Sequence, residues 1–237
     1  MILQVLKFMV EELLKEYGYN NEEIDRILNS KSLSSFLEET LLERINNNFN
    51  FMLSNGYTKS QILKMSVRFP PIFCYDIENM KKKISDMESL GYTKSQILKM
   101  TVRFPQIYGF SIENIKKKIS DMDSLGYTKS QILKMTVSLP QIFGYGIENI
   151  KKKISDMESL GYTREQTLKM TKFLPAIYCF DIENIKKKMS DMESLGYTKS
   201  QILKIAVNFS QIYGLNIENI KNKISDMESL AIQENEY

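Results

Sequence analysis

The chemistry this chain can offer is set by its lysines. The run Ile-Glu-Asn-Ile-Lys-Lys-Lys-Ile-Ser-Asp-Met (112–122) recurs with few changes at a step of 35 residues. Its triplet stands at Lys81-Lys82-Lys83, Lys116-Lys117-Lys118, Lys151-Lys152-Lys153 and Lys186-Lys187-Lys188, and once more as Lys221-Asn222-Lys223. Cations at fixed intervals suit a polyanion, and phosphate contacts hold position without reading sequence. Acid–base chemistry is poorly supplied. There is no histidine in 237 residues, which removes the commonest general base and metal ligand. Glu113 and Asp121 have counterparts in every unit, whereas a catalytic pair is a single constellation. No glycine-rich phosphate loop, nucleophile motif or metal-ligand spacing is present. The chain is therefore not read as an enzyme, and no catalytic residue, metal or cofactor is expected.

The three lysines of a triplet are not equivalent on a helix. Glu113, Lys117 and Asp121 stand at i, i+4 and i+8 on the face away from the core and are expected to pair along it. Lys116 and Lys118 flank the apolar stripe. Lys118 has Asp121 at i+3, so Lys116 is assigned as the unpaired lysine. The expected phosphate contacts are the flanking members, Lys81 and Lys83, Lys116 and Lys118, Lys151 and Lys153, and Lys186 and Lys188.

Two further positions vary between units that otherwise hardly differ. One holds Arg68, Arg103, Ser138, Phe173 and Asn208, and the other, three residues on, holds Pro71, Gln106, Gln141, Ala176 and Gln211. Modular nucleic-acid readers vary side chains at fixed repeat positions, and Arg, Asn and Gln match base edges. Arg68, Arg103, Gln106, Gln141 and Asn208 are the expected base-facing residues.

The elements that must carry these side chains can be read from local chemistry. Thr93 with Gln96 fits a capping box, and Ile97, Leu98, Met100, Thr101, Val102 and Phe104 make a broad apolar stripe on a first helix. Pro105 stops it. PQIYGF (105–110) is too short for a full helix and too apolar for a solvated loop, and reads as a 3₁₀ turn burying Ile107 and Tyr108. A second helix starts at Ser111, with Ile112, Ile115, Ile119 and Met122 facing the core. Gly126 ends it as the left-handed residue, and Tyr127 meets Met122 in a Schellman motif. Phe73, Tyr108, Phe143, Tyr178 and Tyr213 read as one interchangeable aromatic core slot.

Gly-Tyr pairs at 56, 91, 126, 161 and 196 fix the period, which is that of a solenoid. The combined pattern LGYT-(K/R)-x-x-x-L-K, (F/L)-P-x-I and IEN-(I/M)-KKK-(I/M)-SDM resembles the repeat of the mitochondrial transcription termination factor (mTERF) family. The resemblance covers residues 56–230 well and 1–55 loosely. It implies a curved all-α superhelix of helix–3₁₀–helix units that binds nucleic acid in its groove and regulates transcription. Duplex DNA is the first partner implied and RNA the second. Pentatricopeptide and tetratricopeptide units have nearly this length, but a proline-led apolar turn does not suit them. A protein-interaction scaffold is the alternative from another class.

The fold class expected is thus an all-α solenoid, a capping helix and degenerate repeat over 1–55, five repeats over 56–230, and a frayed tail over 231–237. Residues 1–17 read as an amphipathic helix equivalent to a second helix, ended by Gly18-Tyr19. In the degenerate unit Asn20 and Glu23 replace the capping Thr and Gln, a polar run (29–35) replaces the proline turn, and Asn46-Asn47-Asn48 replaces the triplet. Residues 1–55 hold 5 basic and 9 acidic side chains, and the five units together carry net +9. A basic array beside an acidic cap is the footprint of a polyanion binder. Cys74 and Cys179 occupy equivalent places and are expected to be reduced. The charges of 1–17 exclude a membrane span, and neither a signal nor a transit peptide is visible. A cytoplasmic monomer is expected, or an organelle-matrix protein if a presequence stands before it.

Overall fold

The computed structural model describes residues 2–33 and 38–222. Every element in them is helical, with no strand among the described residues. The result is an all-α solenoid of repeated helix–3₁₀–helix units. By its internal contacts the chain divides into two compact units, Met1–Lys118 and Ile119–Tyr237.

The first unit runs α1 (Ile2–Tyr17), α2 (Asn21–Leu28), α3 (Glu38–Ser54), α4 (Lys59–Arg68), η1 (Pro70–Cys74), α5 (Ile77–Ser89), α6 (Lys94–Arg103) and η2 (Pro105–Gly109). Helix α7 (Ile112–Ser124) contains the division. The second unit continues with α8 (Lys129–Ser138), η3 (Pro140–Gly144), α9 (Ile147–Ser159), α10 (Arg164–Phe173), η4 (Pro175–Cys179), α11 (Ile182–Ser194), α12 (Lys199–Asn208) and η5 (Ser210–Gly214). A further helix is described over 217–222, and the tail lies outside the described residues. Within the first unit, α2, α4 and α6 pack in succession as one layer and α1, α3 and α5 as another. Within the second, α8, α10 and α12 form the first-helix layer, and α9 packs on α11. Helix α1 therefore takes a second-helix place, as its pattern predicts.

The expected local signals are all present. Capping boxes open α4, α6, α8, α10 and α12 at Thr58, Thr93, Thr128, Thr163 and Thr198, and Asn20 with Glu23 opens α2 in the same way. Each such cap contributes about 1 kcal/mol. Gly18, Gly56, Gly91, Gly126, Gly161 and Gly196 all have positive φ. At Gly91 the Schellman bonds are Tyr92 N–H to Met87 O at 3.2 Å and Gly91 N–H to Glu88 O at 2.9 Å. A Cβ at this φ would be strained, so glycine is required there.

The proline-led turn proves to need packing more than proline. Ser210 stands where the other units have proline, yet η5 forms, and Phe209 keeps φ −136 and ψ 67, close to the −144 and 73 of Phe104. The equivalent Ile72, Ile107, Ile142, Ile177 and Ile212 are buried in all five turns. Burying one such side chain contributes about 1.5–3 kcal/mol, enough to hold the turn without a preset φ.

The tyrosines after the glycines do more than close a helix. Tyr57 places its hydroxyl 2.5 Å from Thr101 Oγ1 and 2.7 Å from Tyr108 Oη, one repeat ahead. Tyr127 does the same with Thr171 (2.5 Å) and Tyr178. Tyr19 meets Ser66 at 2.6 Å where Phe73 supplies no hydroxyl, and Tyr162 meets Tyr213 where Ala206 supplies none. The Phe/Tyr slot is thus not freely interchangeable: each exchange changes how a buried phenol is satisfied.

Candidate nucleic-acid interface

The third lysine of three triplets has a structural use. Lys83 is 8% exposed and donates its Nζ to Phe110 O at the end of the next repeat's 3₁₀ turn. Lys153 makes the same bond to Phe180 O at 2.5 Å, and Lys188 makes it to Leu215 O. In the degenerate repeat the same place is held by Asn48, whose Nδ2 donates to Tyr75 O at 3.2 Å. An uncharged amide doing the lysine's work identifies the position as a clamp between repeats. Burial lowers the Lys83 pKa from its ordinary value. Lys118 is 7% exposed and also engaged. The expected display of the third lysines on an open flank is therefore corrected.

The first lysine is paired in most triplets, although Lys116 itself is in no ion pair among the described residues. Lys81, Lys151 and Lys186 pair with Glu78, Glu148 and Glu183 at 2.6, 2.8 and 2.8 Å, and Lys221 lies 4.0 Å from Glu218. The glutamate three residues back takes the first lysine, where the i, i+4 pattern assigned it to the middle one. The hydrogen bond that Lys186 donates to Glu183 raises the Lys186 pKa. The middle lysines Lys82, Lys117, Lys152 and Lys187 are exposed and in no ion pair among the described residues.

The variable slots are mixed. Arg68, Arg103, Ser138, Phe173 and Asn208 are all exposed at the ends of the first helices. Arg68 donates one N–H to Val102 O near the end of α6, and Arg103 is also engaged. Phe173 is 55% exposed, with Lys172 Nζ 5.5 Å from its ring centre. Asn208 Oδ1 accepts from Lys169 Nζ at 3.2 Å. Gln106 and Gln141 are only half-buried, and Gln106 Oε1 is buried without a hydrogen-bond partner. An inward-turned amide oxygen is poorly placed to read a base edge.

Residues that the triplet-centred reading passed over hold the excess charge. Helix α4 carries Lys59, Lys64 and Arg68, and α6 carries Lys94, Lys99 and Arg103, net +3 each with no acid. Helices α8 (Lys129, Lys134) and α12 (Lys199, Lys204) carry net +2, as does α10, where Arg164, Lys169 and Lys172 face Glu165. By contrast α5, α7, α9 and α11 each set three lysines against three acids and sum to zero. The signal was present in the repeated Leu-Lys of the first helix, which draws less notice than a triplet. Among the described residues no group of three or more metal-binding side chains occurs, and no helix is long and apolar enough to cross a membrane.

The mTERF family model matches residues 7–122 and again 114–228. Together these matches span most of the chain and reach into the degenerate repeat. Comparison with curated proteins gives no match.

Proposed function

We propose a function from one premise: the chain belongs to the mTERF family, whose members are in general nucleic-acid-binding repeat proteins. Our finer reading is a non-catalytic binder of duplex DNA, with RNA the second choice. It holds phosphates with the exposed cations of its first-helix layer and places Arg68, Arg103 and Asn208 toward base edges.

The observation that carries this reading is the division of charge. The first helices α4 to α12 are net positive without exception, while the second helices α5 to α11 are neutral. Helices with an excess of positive charge raise the local concentration of a polyanion, whereas helices whose charges balance do so weakly. Arg and Asn at the slot add the bidentate geometry that suits guanine and adenine edges in a major groove.

The test is equilibrium binding to random-sequence duplex DNA and to single-stranded RNA across a series of KCl concentrations. Steep salt dependence with tighter duplex binding is expected. Salt-insensitive binding, or tighter RNA binding, would reject the duplex reading.

A further inference from the structure

We propose that the residue six positions after each first-helix N-cap contacts phosphate, in a column within each compact unit, and that the first unit's column begins in the degenerate repeat at Arg26. The inference rests on the nucleic-acid reading above and names the side chains that carry it. Counting from the N-caps Asn20, Thr58, Thr93, Thr128, Thr163 and Thr198 reaches Arg26, Lys64, Lys99, Lys134, Lys169 and Lys204. All six are basic. The degenerate repeat has exchanged its cap, lost its proline and turned its triplet into asparagines. It nonetheless keeps the structural donor at Asn48 and the cation at Arg26.

Ion pairing does not account for the column. All six side chains are exposed, and among the described residues none is in an ion pair. Arg26, Lys64 and Arg68 line one concavity contributed by α2 and α4, together with Val67 and Pro70. The acid that also lines it, Glu23, accepts the Asn20 N–H at 3.0 Å as part of the capping box. Glu22 and Asp25 of the same helix do not line it. Arg68 spends one N–H on Val102 O and keeps others of its five.

The second unit shows the same register by a direct bond. Lys169 of the column reaches Asn208, the slot residue of the next repeat. A seat therefore comprises a column residue, the next column residue and the next slot residue. In the first unit the seats are Arg26, Lys64 and Arg68, then Lys64, Lys99 and Arg103, each with three cations. In the second unit Phe173 and Asn208 take the slot, leaving two cations per seat. Like charges gathered on a concave, partly apolar wall gain nothing from one another. They focus a field that a phosphate neutralises. The degenerate repeat, acidic in its total charge, thereby joins the binding surface through one side chain.

The experiment is a salt titration of the full chain on random-sequence duplex DNA, comparing Arg26→Gln, Lys64→Gln and Lys82→Gln with the unsubstituted protein. Loss of Arg26 or Lys64 should shallow the log–log salt slope by about one each. Arg26→Lys should restore the slope, which a purely structural role for the guanidinium would not allow. Lys82→Gln, on the neutral second helix, should leave the slope unchanged. If the parent chain binds steeply and Arg26→Gln keeps its slope, or if Lys82→Gln lowers the slope equally, the column is wrong and the proposed function stands. If the parent chain shows no salt-dependent binding, both fall together.

Discussion

Helix α4, Lys-Ser-Gln-Ile-Leu-Lys-Met-Ser-Val-Arg, holds three cations and no acid, while α5 sets Lys81, Lys82 and Lys83 against Glu78, Asp86 and Glu88. The second helix is richer in lysine and is the more conspicuous in the sequence. Its charges are nonetheless largely spent: the first lysine on a glutamate, the third on a carbonyl of the next repeat. The first helix has fewer lysines but no acid to offset them, and Lys64 and Lys99 are in no ion pair among the described residues. The number of like residues in a motif is thus a poor guide to the charge it presents. What matters is the charge left after local pairing.

The comparison breaks or stands first on a pair of variants. Replacing Lys64, Lys99, Lys134 and Lys169 together by Gln should shallow the duplex-DNA salt slope by about 3 to 4. Replacing Lys81, Lys116, Lys151 and Lys186 in the same way should do markedly less, because each loss also frees a glutamate from its pair where one exists. Equal slopes from the two sets would end the distinction between the layers.

The second helix should show its role in stability instead. Lys83→Met removes the donor to Phe110 O and should cost about 1–3 kcal/mol in urea unfolding, with no change in salt slope. An unchanged midpoint would mean that the clamp is replaced by solvent.

The hydroxyl relays provide a smaller effect that touches both layers. Tyr57→Phe removes bonds to Thr101 and Tyr108 and should cost about 0.5–1.5 kcal/mol by the same unfolding measurement. A neutral result would reduce the relay to packing. The buried phenols also set an alkaline limit. Burial raises the pKa of Tyr57, Tyr108 and Tyr127 above the ordinary value of 10.0, and that of Tyr213 to about 12. The folded state then holds protons that the unfolded chain releases. The stabilisation is full below pH 10.0 and, for Tyr213, is lost as pH climbs to about 12. Stability measured against pH should fall in that window; a flat profile would contradict the burial of the phenols.

Smallest of all should be the middle lysines. Lys82, Lys117, Lys152 and Lys187 changed to Gln are expected to leave stability within about 0.5 kcal/mol, since exposed surface substitutions rarely exceed that. A larger loss would reveal a packing role for their stems.

Features that depend on neighbours within one turn or one cap could be read from the residues alone. The 35-residue step, the Thr–Gln boxes, the left-handed glycines and the burial of Ile107 were legible because their causes lie within a few residues. Even Asn20 and Glu23, a disguised box, could be recognised on that basis. Spacing along one helix could not apportion Glu78 between Lys81 and Lys82, since i+3 and i+4 both face it and side-chain geometry chooses Lys81. Only the tertiary structure decided the fate of Lys83, whose partner Phe110 lies 27 residues on, and of Tyr57, whose partners lie 44 and 51 residues on. These bonds exist because stacking brings one repeat's second helix and Gly-Tyr turn against the next repeat's first helix and 3₁₀ turn. A lysine at such a junction becomes a buried clamp, while Lys64 on the exposed face of α4, identical in chemistry, keeps its charge in water.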